Sequence, residues 1–143
     1  MRIEEVAEVS DDLVEAIGRL VGQLSATAPA PTRAELEEIV GASHTTLLVA
    51  RDDAGTVVGT LTVAFFRTPV RLRAWIEDVV VEEGARGQGI GEALTREGLR
   101  RAEDAGARAV DLTSRPGRSA ANRLYERLGF KQRETNVYRR EGG

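Results

Sequence analysis

The spacing of apolar and polar positions divides the chain into short alternating stretches and longer helical ones. Arg2 to Val9 alternates weakly and reads as a first strand. Asp11 and Asp12 suit a helix start, because carboxylates in a first turn meet the positive end of the helix dipole. Leu13, Ile17, Leu20, Val21 and Leu24 then fall on one helical face. A Ser/Ala/Pro stretch through Pro29 and Pro31 follows, a helix connector or a substrate-facing loop. Thr32 and Glu35 next form a capping-box pair opening a short helix that ends near Gly41. Thr45 to Ala50 and Val57 to Phe66 read as strands joined at Asp52-Asp53-Ala54-Gly55, and a turn near Thr68-Pro69 leads into a strand over Leu72 to Val81. From Ile90 to Ala105 the pattern is helical, with Leu94, Gly98 and Ala102 one turn apart. Glycine in mid-helix costs about 1 kcal/mol against alanine, so Gly98 is expected to permit close packing. Ala109 to Thr113 reads as a buried strand returning from the crossover. A helix over 117 to 128 is expected next, then Phe130 to Arg133 and Thr135 to Arg139 as a terminal hairpin.

Composition narrows the chemistry. The 143 residues suit one domain, 1–143, with a core that needs no disulfide or metal. Cysteine is absent and there is one histidine, His44, placed before a strand and read as a turn or surface residue. Thiol nucleophiles and Cys-rich zinc sites are therefore excluded, and proton transfer falls mainly to Glu, Asp and Tyr. No apolar run approaches the ~20 residues that cross a bilayer, and the first residues lack the apolar core of a signal peptide. A cytoplasmic protein without membrane contact is the expectation. The sequence pI of about 5.3 argues against nucleic acid as a partner, since such binders run above about 9. Residues 1–66 carry four basic and eleven acidic groups, leaving sixteen basic and twelve acidic in residues 67–143. A basic half facing an anionic cofactor and an acidic half favouring a cationic amine would produce that asymmetry. Helix faces that merely differ in solvated charge would produce it equally well.

The segment from Glu77 to Glu92 runs from an apolar strand through a glycine-rich turn into a helix, an arrangement that aims backbone N–H groups at an anion. Gly84 and Gly89 have the separation of a nucleotide-binding P-loop, but Ile90 and Gly91 stand where Lys and Ser/Thr are required. Gly87 and Gly89 begin a dinucleotide fingerprint, yet Glu92 occupies its third glycine. Both nucleotide readings fail.

Arg86-x-x-Gly89-x-Gly91 instead resembles the pyrophosphate motif, Q/R-x-x-G-x-G/A, of the GNAT superfamily of acyl-CoA-dependent N-acetyltransferases. Ala121-Asn122-Arg123-Leu124-Tyr125-Glu126-Arg127-Leu128-Gly129-Phe130 is similar to that family's A-x-x-L-Y-x-x-x-G-F segment. The resemblance covers residues 74 to 140. It implies an α/β (α+β) GNAT fold: a mixed, mostly antiparallel sheet of six or seven strands, splayed at its centre and flanked by about four helices. It also implies acetyl-CoA as acyl donor without a metal, a small-molecule or protein amine as acceptor, and a homodimer as one assembly. A non-catalytic acyl-CoA sensor or interaction module of the same fold is the alternative.

By the same resemblance, the backbone of Val79, Val80 and Val81 would bind the pantetheine arm, and N–H groups from Arg86, Gly87, Gln88, Gly89, Ile90 and Gly91 would surround the pyrophosphate. A β-carbon at the glycines would hold the backbone off the phosphate oxygens. Tyr125 is the implied acid for the departing thiolate, although with Ala121, Leu124 and Leu128 it also reads as a packed core tyrosine. Glu77 resembles the family's acidic position for deprotonating the amine, with Asp78 its competitor on the opposite strand face. Arg118 stands where relatives often have Asn, and Asn122 follows one turn later. Both are candidate cofactor contacts. Trp75, Phe66 and Tyr138 read as core or acceptor-pocket residues.

Overall fold

The computed structural model describes residues 1–142. Internal contacts divide the chain into two units, Met1–Thr113 and Ser114–Gly143. The first contains β1 (Arg2–Glu5), α1 (Asp11–Leu24), α2 (Arg33–Gly41), β2 (Thr45–Arg51), β3 (Val57–Arg67), β4 (Leu72–Val81), a 3-10 turn (Glu83–Ala85), α3 (Ile90–Asp104) and β5 (Val110–Asp111). The second contains α4 (Ser119–Arg127).

Local chemistry sets these boundaries. Ser10, rather than the aspartates after it, caps α1 by accepting the Leu13 N–H at 3.1 Å. Thr32 and Glu35 cap α2 reciprocally, as their spacing predicts. Between β2 and β3, Asp52 accepts the N–H groups of Ala54 and Thr56, and Gly55 takes a left-handed φ of 85° to close the turn. α3 ends in a Schellman motif, with Gly106 and Ala107 donating to the carbonyls of Glu103 and Ala102.

One sheet results, in the order β1-β2-β3-β4-β5, antiparallel until β5 joins β4 in parallel. The α3 crossover is what permits that parallel step. One sheet face packs on α1 and α2 through Leu13, Ala16, Ile17, Leu20, Leu36, Leu47, Val49 and Val80. The other receives α3 at Gly98, where an added β-carbon would stand 3.2 Å from Leu61 and 3.4 Å from Val63. Close packing is thus the purpose of that glycine, as expected.

Among the described residues five strands form, against the six or seven expected. The expected terminal hairpin, Phe130 to Arg133 with Thr135 to Arg139, is absent. A strand needs one apolar face to bury. In a strand the neighbours Val137 and Tyr138 would take opposite faces, and here they remain 73% and 87% exposed among charged residues. β1 stops at Glu5, short of Val9, as the chain turns toward the Ser10 cap. β5 is two residues long instead of five, because it meets β4 only at Ala74–Val110 and Trp75–Asp111.

Candidate active site

β4 is irregular at the point where the acidic candidates lie. Thr60 pairs with Val80 but Thr62 with Glu77, so Leu61 opposes both Asp78 and Val79 in a β-bulge. Asp78 carries it at φ 52°, the one non-glycine residue of positive φ among the described residues. The extra residue reverses the alternation of side chains downstream. Ile76 faces α3, whereas Val80 joins the core under α1 and α2. A regular strand would have put both on one face. Glu77, cross-strand from Thr62 and Leu47, lies on the α1/α2 side. The expected opposition of Glu77 and Asp78 on a regular strand is therefore replaced by a bulge that leaves both exposed. Partial desolvation, reinforced by the Asp78 carboxylate, pushes the Glu77 carboxyl above the ordinary carboxylate range.

The edge of β4 beyond Trp75 parts from β5, so the stretch holding Val79, Val80 and Val81 has no strand partner on that side. Val80 is buried, while Val79 and Val81 are half-buried. The Val80 side chain joins the core, and the edge without a strand partner runs toward the turn. This is the splaying expected of the sheet.

Gly87 and Gly89 both adopt φ 80°. A β-carbon at either would meet nothing within 4 Å, so the left-handed backbone, and not crowding inside the protein, is what demands glycine. Gly89 caps α3 without a side chain, which leaves the first N–H groups of the helix to whatever lies beyond it. Gln88 is exposed and Ile90 is buried, pinning the helix start to the sheet. Beneath it Gly59, unremarked in the sequence, allows this approach: its β-carbon would stand 3.0 Å from Leu94, 3.1 Å from Ile90 and 3.4 Å from the Val80 carbonyl. Gly91 lies in the first turn of α3, where its carbonyl accepts the Thr95 hydroxyl at 2.7 Å. Arg86 folds back, donating Nε to the Val81 carbonyl at 3.2 Å, and its side chain stays exposed.

In the second unit, Tyr125 and Phe130 form a further Schellman closure of α4. Phe130 donates to the Tyr125 carbonyl at 3.0 Å and Gly129, at φ 94°, to that of Glu126 at 3.1 Å, while the two rings meet edge to face at 5.7 Å. The Y-x-x-x-G-F spacing is thus a helix-stop signal with its hydrophobic contact built in. The Tyr125 ring is buried, and that burial raises its phenol above the ordinary value against an opposing effect of Arg118. Its hydroxyl has no partner among the described residues, yet Ser114 Oγ is the only buried unpaired side-chain atom there, so the phenol oxygen still reaches solvent. Arg118 is exposed at the helix start. Asn122 donates Nδ2 to the carbonyls of Arg115 at 3.1 Å and Pro116 at 3.4 Å, fixing the loop before α4.

Among the described residues, a five-stranded mixed sheet parts beside a glycine turn and a helix N-terminus that no side chain caps. The chain belongs to the GNAT acetyltransferase family, whose model matches residues 12–130. It is 34% identical over 91 residues to a mycothiol acetyltransferase of Propionibacterium freudenreichii, a match covering 64% of this chain but 29% of that relative. The chain spans under a third of the length of the curated relatives it matches. Among solved structures, a putative acetyltransferase from Agrobacterium tumefaciens superimposes with a TM-score of 0.86 at 24% identity, covering 99% of this chain and 100% of that one. An aminoglycoside N-acetyltransferase in complex with CoA superimposes with a TM-score of 0.80 at 20% identity, covering 98% and 93%. At such identities these likenesses speak for the fold.

Proposed function

We propose that this chain works as one domain that transfers an acetyl group from acetyl-CoA to the amine of a small molecule. The observation that carries this reading is the continuous path from the β4 edge that lacks a strand partner, through the left-handed glycines, to the N-terminus of α3 that no side chain caps. An extended amide-bearing arm fits the first part and a pyrophosphate the second. The relatives' names support a small-molecule acceptor over a protein one.

In this mechanism the amine nitrogen attacks the thioester carbonyl carbon, forming a C–N bond, and the C–S bond then breaks. Glu77, with its raised affinity for a proton, takes the proton from the amine, directly or through water. N–H groups near Val79 stabilise the oxyanion. The departing thiolate takes the Tyr125 phenolic proton, which burial retains on the oxygen at neutral pH. Gly87 to Gly91 hold the pyrophosphate, with Arg86, Arg118 and Asn122 as polar neighbours of the cofactor. Calorimetry with acetyl-CoA tests the binding, and CoA release over a panel of amines tests the transfer. No acetyl-CoA binding overturns the proposal, whereas binding without release on any amine favours an acyl-CoA sensor.

A further inference from the structure

The entry to the glycine turn is held from α1. Arg19 and Gln23 lie one helical turn apart, so their side chains leave the same face. Arg19 donates Nε to Glu82 Oε1 at 3.0 Å and a terminal nitrogen to the Val57 carbonyl at 2.9 Å. Gln23 donates Nε2 to the second oxygen of Glu82, while its Oε1 accepts the Glu83 N–H at 2.9 Å. The Glu82 N–H is itself bonded to the Val58 carbonyl at 2.8 Å. Residues 82 and 83 are where β4 ends and the 3-10 turn begins. Glu82 gives that turn no side-chain cap, so Gln23 supplies the missing partner from α1.

Charge makes the arrangement more than a fastening. A lone carboxylate at the doorway of an anion-binding turn would repel the anion. Hydrogen bonds from Gln23 and Arg19 hold Glu82 below the ordinary carboxylate range, so it stays ionised, sharing the Arg19 guanidinium with Glu15. α1 also packs on the sheet face that carries Glu77.

We propose that Arg19 and Gln23 are positioning residues, a clamp from α1 onto Glu82 and Glu83 that sets the aim of the glycine turn and ties acyl-CoA affinity to the placement of α1. This rests on the reading of the turn as the cofactor site. An acceptor that moves α1 is then felt by the cofactor, and linkage makes the effect reciprocal.

Gln23→Leu tests it, since leucine matches glutamine in helix propensity but makes neither hydrogen bond. Amide exchange at Glu82 and Ala85 is expected to accelerate about 10-fold, with Leu94 to Ala102 of α3 within about twofold of wild type. CoA affinity is expected to weaken about 3- to 10-fold, the scale of one ordinary hydrogen bond felt at the turn. Arg19→Lys, which keeps the charge but not the fork, should cost about 2- to 3-fold in the same titration. Wild-type exchange and affinity in Gln23→Leu overturn the proposal, as does a uniform acceleration that includes α3, which is plain destabilisation. A loosened turn with unchanged CoA affinity overturns the link to the cofactor. If the wild-type chain binds no CoA, the cofactor reading fails, and exchange alone then decides whether the clamp positions the turn.

Discussion

Replacing Gly89 with alanine separates two reasons for a glycine. The residue holds φ 80° and ψ 11° as the cap of α3, and a β-carbon there would meet no atom within 4 Å. Steric crowding therefore contributes nothing, and the cost is the left-handed backbone alone, about 1–2 kcal/mol for an L-residue. For a chain of this size that lowers Tm by about 3–7 °C. If alanine instead drives φ negative, the first amides of α3 lose their aim. Each charge-assisted hydrogen bond lost then costs about 1.5–3 kcal/mol, or roughly 10- to 100-fold in CoA affinity. Gly84→Ala is the control: its β-carbon also meets nothing and its φ is not left-handed, so it should stay within about 0.5 kcal/mol of wild type. Gly89→Asn should recover part of both losses, since asparagine tolerates the left-handed region. Thermal melts and CoA calorimetry on the three variants read both quantities. Wild-type Tm and affinity in Gly89→Ala, or equal damage from Gly84→Ala, would refute the reasoning.

Tyr125→Phe keeps the ring contact with Phe130 and should lower turnover about 10²-fold or more while leaving CoA affinity within about twofold; full turnover removes the phenol from the mechanism. Glu77→Gln should slow transfer most below the amine's pKa and yet stabilise the fold. The raised carboxyl means the native state binds its proton more tightly than the unfolded chain, so stability falls as pH rises from the ordinary carboxylate value through the raised one. The variant escapes that loss, so its Tm should exceed that of wild type at pH 7–8 and match it below about pH 4. A pH-independent Tm difference would contradict the assignment. Gly59→Val should destabilise by about 1–3 kcal/mol through overpacking against Leu94 and Ile90, measurable by urea titration; a neutral result would mean the helix start is not seated there.

Much of the fold was legible in the sequence because its signals are local. The capping box at Thr32 and Glu35, the Asp52–Gly55 turn and the apolar spacing of α1 and α3 each depend on residues within a turn of one another. The boundaries of β4 could be read from its residues alone, and the Tyr125–Phe130 spacing already contained a complete helix stop. The terminal hairpin failed because alternation is only half of a strand. The other half is a surface to bury against, which Val137 and Tyr138 do not share.

The sequence by itself determined the glycine turn, the helix it opens and the family to which both belong, since these rest on backbone conformations that few residue types permit. Only the tertiary structure decided which face each side chain takes. The bulge at Asp78 arises from pairing with β3, and it turns Val80 toward α1 while Glu77 keeps that same side. The seat of α3 on Gly59 and the hold of Arg19 and Gln23 on Glu82 likewise join residues far apart in the chain. No local pattern encodes such contacts, because they exist only once the sheet has brought its strands into register.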